Sequence, residues 1–191
     1  MTATVRSAAV VGVEAIPIWV EVDVARGLPH FNLVGLPDSS VRESRERVRA
    51  ALRNAGFSFP IARLTVNLAP SHIRKAGSAF DLPIALGILA AQGIVSQQAL
   101  KRWTVLGELA LDGRVRPVPG VLCTALDLLR DDGNETALML PAANAHEVGL
   151  VPGLKAVPVH SLQHAVQIVR QGPSVQSQGN SQLAAPCLAA P

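Results

Sequence analysis

The sequence is short of cysteine, of charge and of long apolar runs, and each shortage excludes something. Its two cysteines, Cys123 and Cys187, provide neither a disulfide framework nor the paired spacing of zinc ligands. Charged residues make up 16% and apolar residues 49%, against about 25% charged in ordinary soluble domains, so disorder through most of the chain is excluded. The longest apolar run, Leu82 to Ala91, follows Asp81 and falls well short of the ~20 residues a spanning helix needs; it reads as a buried core helix. Met1 to Ser7 lacks the basic, apolar and small-residue order of a secretory signal, so a cytoplasmic location without a membrane partner is expected. No Gly-x-x-x-x-Gly-Lys-Ser/Thr segment occurs, so the phosphate-cradling loop of ATP hydrolysis is missing and no cofactor is expected. No internal repeat is found.

With 191 residues the chain has room for one ordinary domain. A domain over residues 1–172 is expected, followed by a Pro-, Ser-, Gln-, Gly- and Ala-rich linker or disordered tail over 173–191. The net charge of +3 permits a nucleic-acid partner without requiring one.

The patterning is α/β. Ile18, Val20, Val22 and Val24 alternate with Trp19, Glu21, Asp23 and Ala25 at period two, the mark of a strand with one buried face. Gly27 to Pro29 gives a turn and His30 to Gly35 a further strand, which together suggest a hairpin-rich sheet edge. From Asp38 the period becomes helical, with Val41, Val48, Leu52 and Ala55 on one stripe. Ser40 and Glu43 have capping-box spacing, and Gly56 ends the helix. Strands are expected over Arg63 to Leu68, Ala137 to Leu140 and Leu154 to Val159, with two more from Thr104 to Val118 around an Asp112-Gly113 turn. Helices are expected over Asp81 to Gln92, Val121 to Arg130 and Ser161 to Arg170, and a helical turn over Ala142 to Val148.

Three groups of residues invite a chemical reading. Arg42, Arg45, Arg49 and Arg53 share one helical face beside the apolar stripe. They form either a solvated face, partly neutralised by Glu46 and with Glu43 pairing Arg47, or a contact for DNA or an acidic partner. His160 and His164 are four apart, but no Glu or third ligand accompanies them, so no metal site is expected. Asp81, with Pro83 shortly after, fits a helix N-cap better than a catalytic carboxylate.

"FNLVGLPDSSVRESRERVRAALRNAGFSFPIARLTVNLAP", then "FDLPIALGILAAQG" and "VLGELALDGRVRPVPGVL", resemble in order and spacing the amino-terminal, Lon-protease-like domain of the ComM/YifB family of magnesium-chelatase-like AAA+ proteins. The resemblance runs from about residue 4 to residue 171. It implies an α+β fold of the Lon-protease type, ribosomal-protein-like, with helices packed on a mixed sheet. In that family a AAA+ motor follows in cis, members are tied to DNA recombination during natural transformation, and a homo-oligomeric ring is implied. The domain is also similar to Lon peptidases, in which a serine and a lysine act as a pair. Here Ala79 stands at the serine position and Leu122 at the lysine position. A dyad needs both a hydroxyl and a neutral amine, so the resemblance implies a scaffold without peptidase activity. The chain is then an isolated domain or a truncated reading frame, an accessory module supporting ring assembly and possible DNA contact. Two alternatives stay open: a divergent peptidase using Ser78, served by Lys75 or Lys101, and a protein-interaction module.

Overall fold

The computed structural model describes residues 1–130, 136–149 and 151–172. Among the described residues, nine strands and six helices follow in the order β1 (Thr2–Val11), β2 (Glu14–Ala25), β3 (His30–Val34), α1 (Ser39–Asn54), β4 (Arg63–Ala69), α2 (Asp81–Ala91), α3 (Gln97–Leu100), β5 (Trp103–Val105), β6 (Glu108–Leu109), β7 (Val115–Arg116), α4 (Val121–Arg130), β8 (Ala137–Pro141), α5 (Ala145–Val148), β9 (Ala156–Val159) and α6 (Leu162–Gln171). A single 3-10 turn, Ala142–Asn144, precedes α5. The main sheet has the order β3-β4-β2-β1-β5-β8-β9, and β6 and β7 form a separate small ribbon. Its pairs β1–β2 and β2–β4 are antiparallel, whereas β1–β5, β3–β4, β5–β8 and β8–β9 are parallel. The expected α/β (α+β) class with a mixed sheet is what the structure shows. The expected linker over residues 173–191 lies outside the described residues.

Strand patterning follows which faces are covered. In β4, Leu64, Val66 and Leu68 are buried while their neighbours are not, because only one face of this end of the sheet carries helices. Every residue of β8 is buried: Ala137 and Met139 join the larger core with α2 and α6, and Leu138 and Leu140 join a second core with α4. Helix α2 lies at the centre with all its residues but Ala90 buried, as its uniformly apolar sequence requires. It sits so close to β2 that a Cβ on Gly87 would lie 2.6 Å from the Val22 Cγ2.

Three expectations are corrected. Strands β2 and β3 are not hairpin partners, because β4 inserts between them, antiparallel to β2 and parallel to β3. The stretch from Thr104 to Val118 is not two strands: β5 belongs to the main sheet, and only β6 and β7 surround the Asp112-Gly113 turn. At the start of α1 the cap is Asp38, whose carboxylate accepts from the Val41 amide at 2.8 Å and from the Ser40 hydroxyl at 2.9 Å. Those hydrogen bonds outweigh the effect of burial and hold the Asp38 carboxyl below its ordinary range. The stripe of Val41, Val48, Leu52 and Ala55 is buried, and Gly56 ends the helix at φ +80°, as the sequence suggested.

Candidate nucleic-acid interface and the neighbouring cleft

The arginines of α1 do not all stand in one place. Arg45, Arg49 and Arg53, successive at four-residue spacing, border a groove of about 330 Å³ whose other wall is Pro29, His30, Phe31 and the Phe59 to Ala62 segment. Arg42, exposed at the helix start, is not part of that lining. Phe31 of β3 lies beside Phe59 in the loop before β4, with ring centroids 6.5 Å apart and planes inclined at 23°. The Arg49 guanidinium lies over the Phe59 ring, 5.8 Å from its centroid. Its Nε is buried and has no hydrogen-bond partner among the described residues. Arg45 has an exposed ion pair with Glu46 at 3.3 Å, the kind that contributes at most about 1 kcal/mol. The arginine ridge therefore has aromatic neighbours that its own helix does not supply.

The two segments that the Lon resemblance singles out face one cleft of about 560 Å³, lined by residues 76–80, by Pro119, Gly120, Cys123 and Thr124, and by Ala8 to Val10 of β1. The loop carrying Ser78 is tied in place. The Lys75 amide donates to the Leu36 carbonyl, the Asp38 amide to the Lys75 carbonyl, and the Gly107 amide to the Ala79 carbonyl, at 3.2, 3.0 and 3.0 Å. Opposite, Asn144 grips both the amide and the carbonyl of Val118 at 3.1 and 3.0 Å just before α4. Ala79 is half-buried in the cleft wall. Leu122 is 37% exposed on α4.

The Ser78 hydroxyl donates to the Glu108 carboxylate, which also meets Arg116 at 3.5 Å. Lys75 is completely buried; its amine donates to the Pro70 carbonyl, and burial pushes it below the usual lysine range. Lys101 borders a different depression with Arg6 and Trp19. Ser78 is thus held by an acid, with both lysines engaged or placed elsewhere.

Asp81 is corrected from cap to ion-pair partner. It is fully buried and takes two hydrogen bonds from Arg47, at 2.6 and 3.1 Å, and a third from the Leu109 amide at 3.2 Å. Burial raises its affinity for a proton, against the pull of Arg47. The expected Glu43–Arg47 pair is also present, at a looser 3.6 Å. His160 and His164 stack with centroids 5.8 Å apart, and no cluster of three or more His, Cys, Asp or Glu suited to a metal occurs among the described residues. Among the described residues no helix is long and apolar enough to cross a membrane.

The sequence family model described as subunit ChlI of Mg-chelatase matches residues 20–144. The chain is 42% identical over 149 residues to the uncharacterized protein YifB of Salmonella typhimurium, covering 78% of this chain and 29% of that protein. It is 45% identical over 156 residues to an uncharacterized protein of Mycobacterium tuberculosis, covering 82% and 31%. With the competence protein ComM of Haemophilus influenzae it shares 41% identity over 167 residues, covering 87% and 32%. It spans about 30% of the length of these curated relatives. From 20 to 144 the matched segment takes in α1, α2, the arginine groove and the cleft apart from its β1 wall, and on that match the chain belongs to the family of the Mg-chelatase subunit ChlI, with YifB and ComM as relatives.

Proposed function

We propose that this chain is a non-catalytic, Lon-like accessory domain of a magnesium-chelatase-like AAA+ ATPase of the ComM type, acting in the cytoplasm in handling DNA for recombination. In this reading it supports assembly of a homo-oligomeric ring and contacts nucleic acid through α1, while the motor lies in the portion of its relatives that it does not span. The observation that carries the non-catalytic part is the Ser78 hydroxyl bound to Glu108 while the Lys75 amine holds the Pro70 carbonyl. A carboxylate can take the serine proton only weakly at neutral pH, and Ala79 and Leu122 offer no nucleophile and no base. The arginines of α1, with forked donors suited to phosphate, support the DNA contact.

A peptidase assay with unfolded protein, together with a serine-directed phosphonate, tests this reading. No cleavage and no label are expected. Covalent labelling that disappears in Ser78→Ala would establish the divergent peptidase instead. ATP titration by calorimetry is expected to show no saturable binding.

A second reading, a protein-interaction module, draws on α4. Leu122, Leu126 and Leu129 are exposed there and fall on one face at i, i+4 and i+7. In the ring this face would meet a protein neighbour, so the two readings are compatible.

A further inference from the structure

Charge along α1 alone does not distinguish duplex from single strand, because phosphates are common to both. The groove beside α1 adds a feature that does. Its wall carries the Arg49 guanidinium over the partly exposed Phe59 ring, backed by the buried Phe31, and is flanked by Pro60 and by Ile61, which is 89% exposed. Aromatic rings and guanidinium planes are surfaces on which unpaired bases stack. A paired base turns its faces to its neighbours in the duplex and cannot use such a surface without leaving the helix.

The flanking arginines are placed for a backbone. Helical rise puts Arg45 and Arg53 about 6 Å before and after Arg49 along the axis, so forked donors lie on both sides of the stacking plane. Arg49 also has a buried Nε donor without a partner among the described residues, and leaving such a group unmet is unfavourable. The volume of about 330 Å³ lies at the small end of ligand sites, suited to one residue of a polymer.

We propose that this groove seats one unpaired nucleotide, its base on the Arg49–Phe59 stack and its neighbouring phosphates on Arg45 and Arg53, so that α1 prefers single-stranded nucleic acid to duplex. This deepens the nucleic-acid contact proposed above and rests on it. The shared ligand chemistry is a nucleoside phosphate, which a strand or a free nucleotide could supply; two phosphate-binding arginines around one stacking plane favour the strand.

The test uses the full chain and fluorescence anisotropy with four probes: labelled oligothymidylate, the same strand in duplex, an abasic strand of equal length, and thymidine monophosphate as competitor. Oligothymidylate is expected to bind most tightly, and the monophosphate to compete only at far higher concentration. Phe59→Leu keeps apolar volume and removes the ring. It should weaken binding of the base-bearing strand on the order of tenfold and leave the abasic strand and the duplex unchanged. Arg49→Lys keeps the charge and loses the plane; it should show the same selective loss, and circular dichroism checks that both variants fold. Equal affinity for abasic and base-bearing strands, or no selective loss in either folded variant, overturns the stacking site while leaving a phosphate contact in place. Competition by the monophosphate at the concentration of strand nucleotides overturns the strand assignment. Binding to none of the four probes removes the nucleic-acid reading as well.

Discussion

Arg47 and Asp81, on different helices, meet through two hydrogen bonds of 2.6 and 3.1 Å and so tie the start of α2 to the middle of α1. The same guanidinium donates to the Ser40 carbonyl and the Ser44 hydroxyl at 2.9 and 3.2 Å. Both acceptors belong to α1, so the side chain is braced on its own helix while it reaches across to α2.

Removing one member of that pair should cost far more than the pair is worth. Arg47→Met leaves a buried carboxylate without its counter-charge, and the expected loss is about 3–5 kcal/mol. Urea unfolding checks it, and the double variant Arg47→Met, Asp81→Asn should recover part of the loss. A single variant as stable as the parent would show that solvent reaches Asp81.

Lys75 gives a pH signature. Burial lowers its pKa from the ordinary value of 10.5, so between the folded and unfolded values the unfolded chain binds more protons than the folded one. The stability this group contributes is complete above 10.5 and is lost as pH falls through the lower, folded value. Compared with Lys75→Met, the parent should therefore gain stability as pH rises from neutral toward 10.5. Parallel stability curves for the two proteins would refute the burial argument.

The groove predicts which arginines set the salt dependence. On a single strand each phosphate contact contributes roughly 0.7 to the slope of log K against log salt. With phosphates on Arg45 and Arg53 only, replacing Arg45, Arg49 and Arg53 together with Gln should then reduce the slope by about 1.4, and Arg42→Gln, outside the groove, should change it little. These side chains stand clear of the buried stripe of Val41, Val48 and Leu52, so the triple variant should fold. An unchanged slope makes the ridge a solvated face.

Gly87→Ala sets two effects against each other. Alanine favours a helix interior by about 1 kcal/mol, while its methyl would need the space 2.6 Å from the Val22 Cγ2, and overpacking of that kind costs about 1–3 kcal/mol. Overpacking is expected to win, giving a lower thermal midpoint. Val22→Ala in the same chain should relieve part of it.

These residues also mark where sequence reading succeeded and where it stopped. Helices α1 and α2 were legible because their apolar positions are periodic or continuous, and the alternation in β2 and β4 declared their buried faces. The insertion of β4 between β2 and β3 was not, since alternation states which face is buried and says nothing about which edge is filled. At the start of α1 the capping-box spacing points to Ser40 and Glu43, whereas the geometry gives the cap to Asp38. Glu43 was the visible partner for Arg47 because it lies one turn away; Asp81 is brought in by packing of α2. Helical spacing shows the ridge of Arg42, Arg45, Arg49 and Arg53 but not its aromatic neighbours, because Phe59 lies in the loop after α1, outside any periodic element, and Phe31 meets Phe59 only in the folded chain.

The position of β4 also shapes how the chain acquires its fold. Strands β1 and β2 are joined by a tight turn and pair along their whole length, and hairpins of this kind form in about 1–10 μs. The other edge of β2 waits for β4, which pairs Trp19 with Ala69 and Ala25 with Arg63, far along the chain. At a synthesis rate of roughly 5–20 residues per second, that edge stays open for several seconds on every nascent chain. During that interval the apolar row of Ile18, Val20 and Val22 lies on a strand whose backbone groups are available to any extended segment nearby. Conditions that slow elongation between β2 and β4 should therefore lower the yield of folded protein even though they leave the stability of the finished domain untouched.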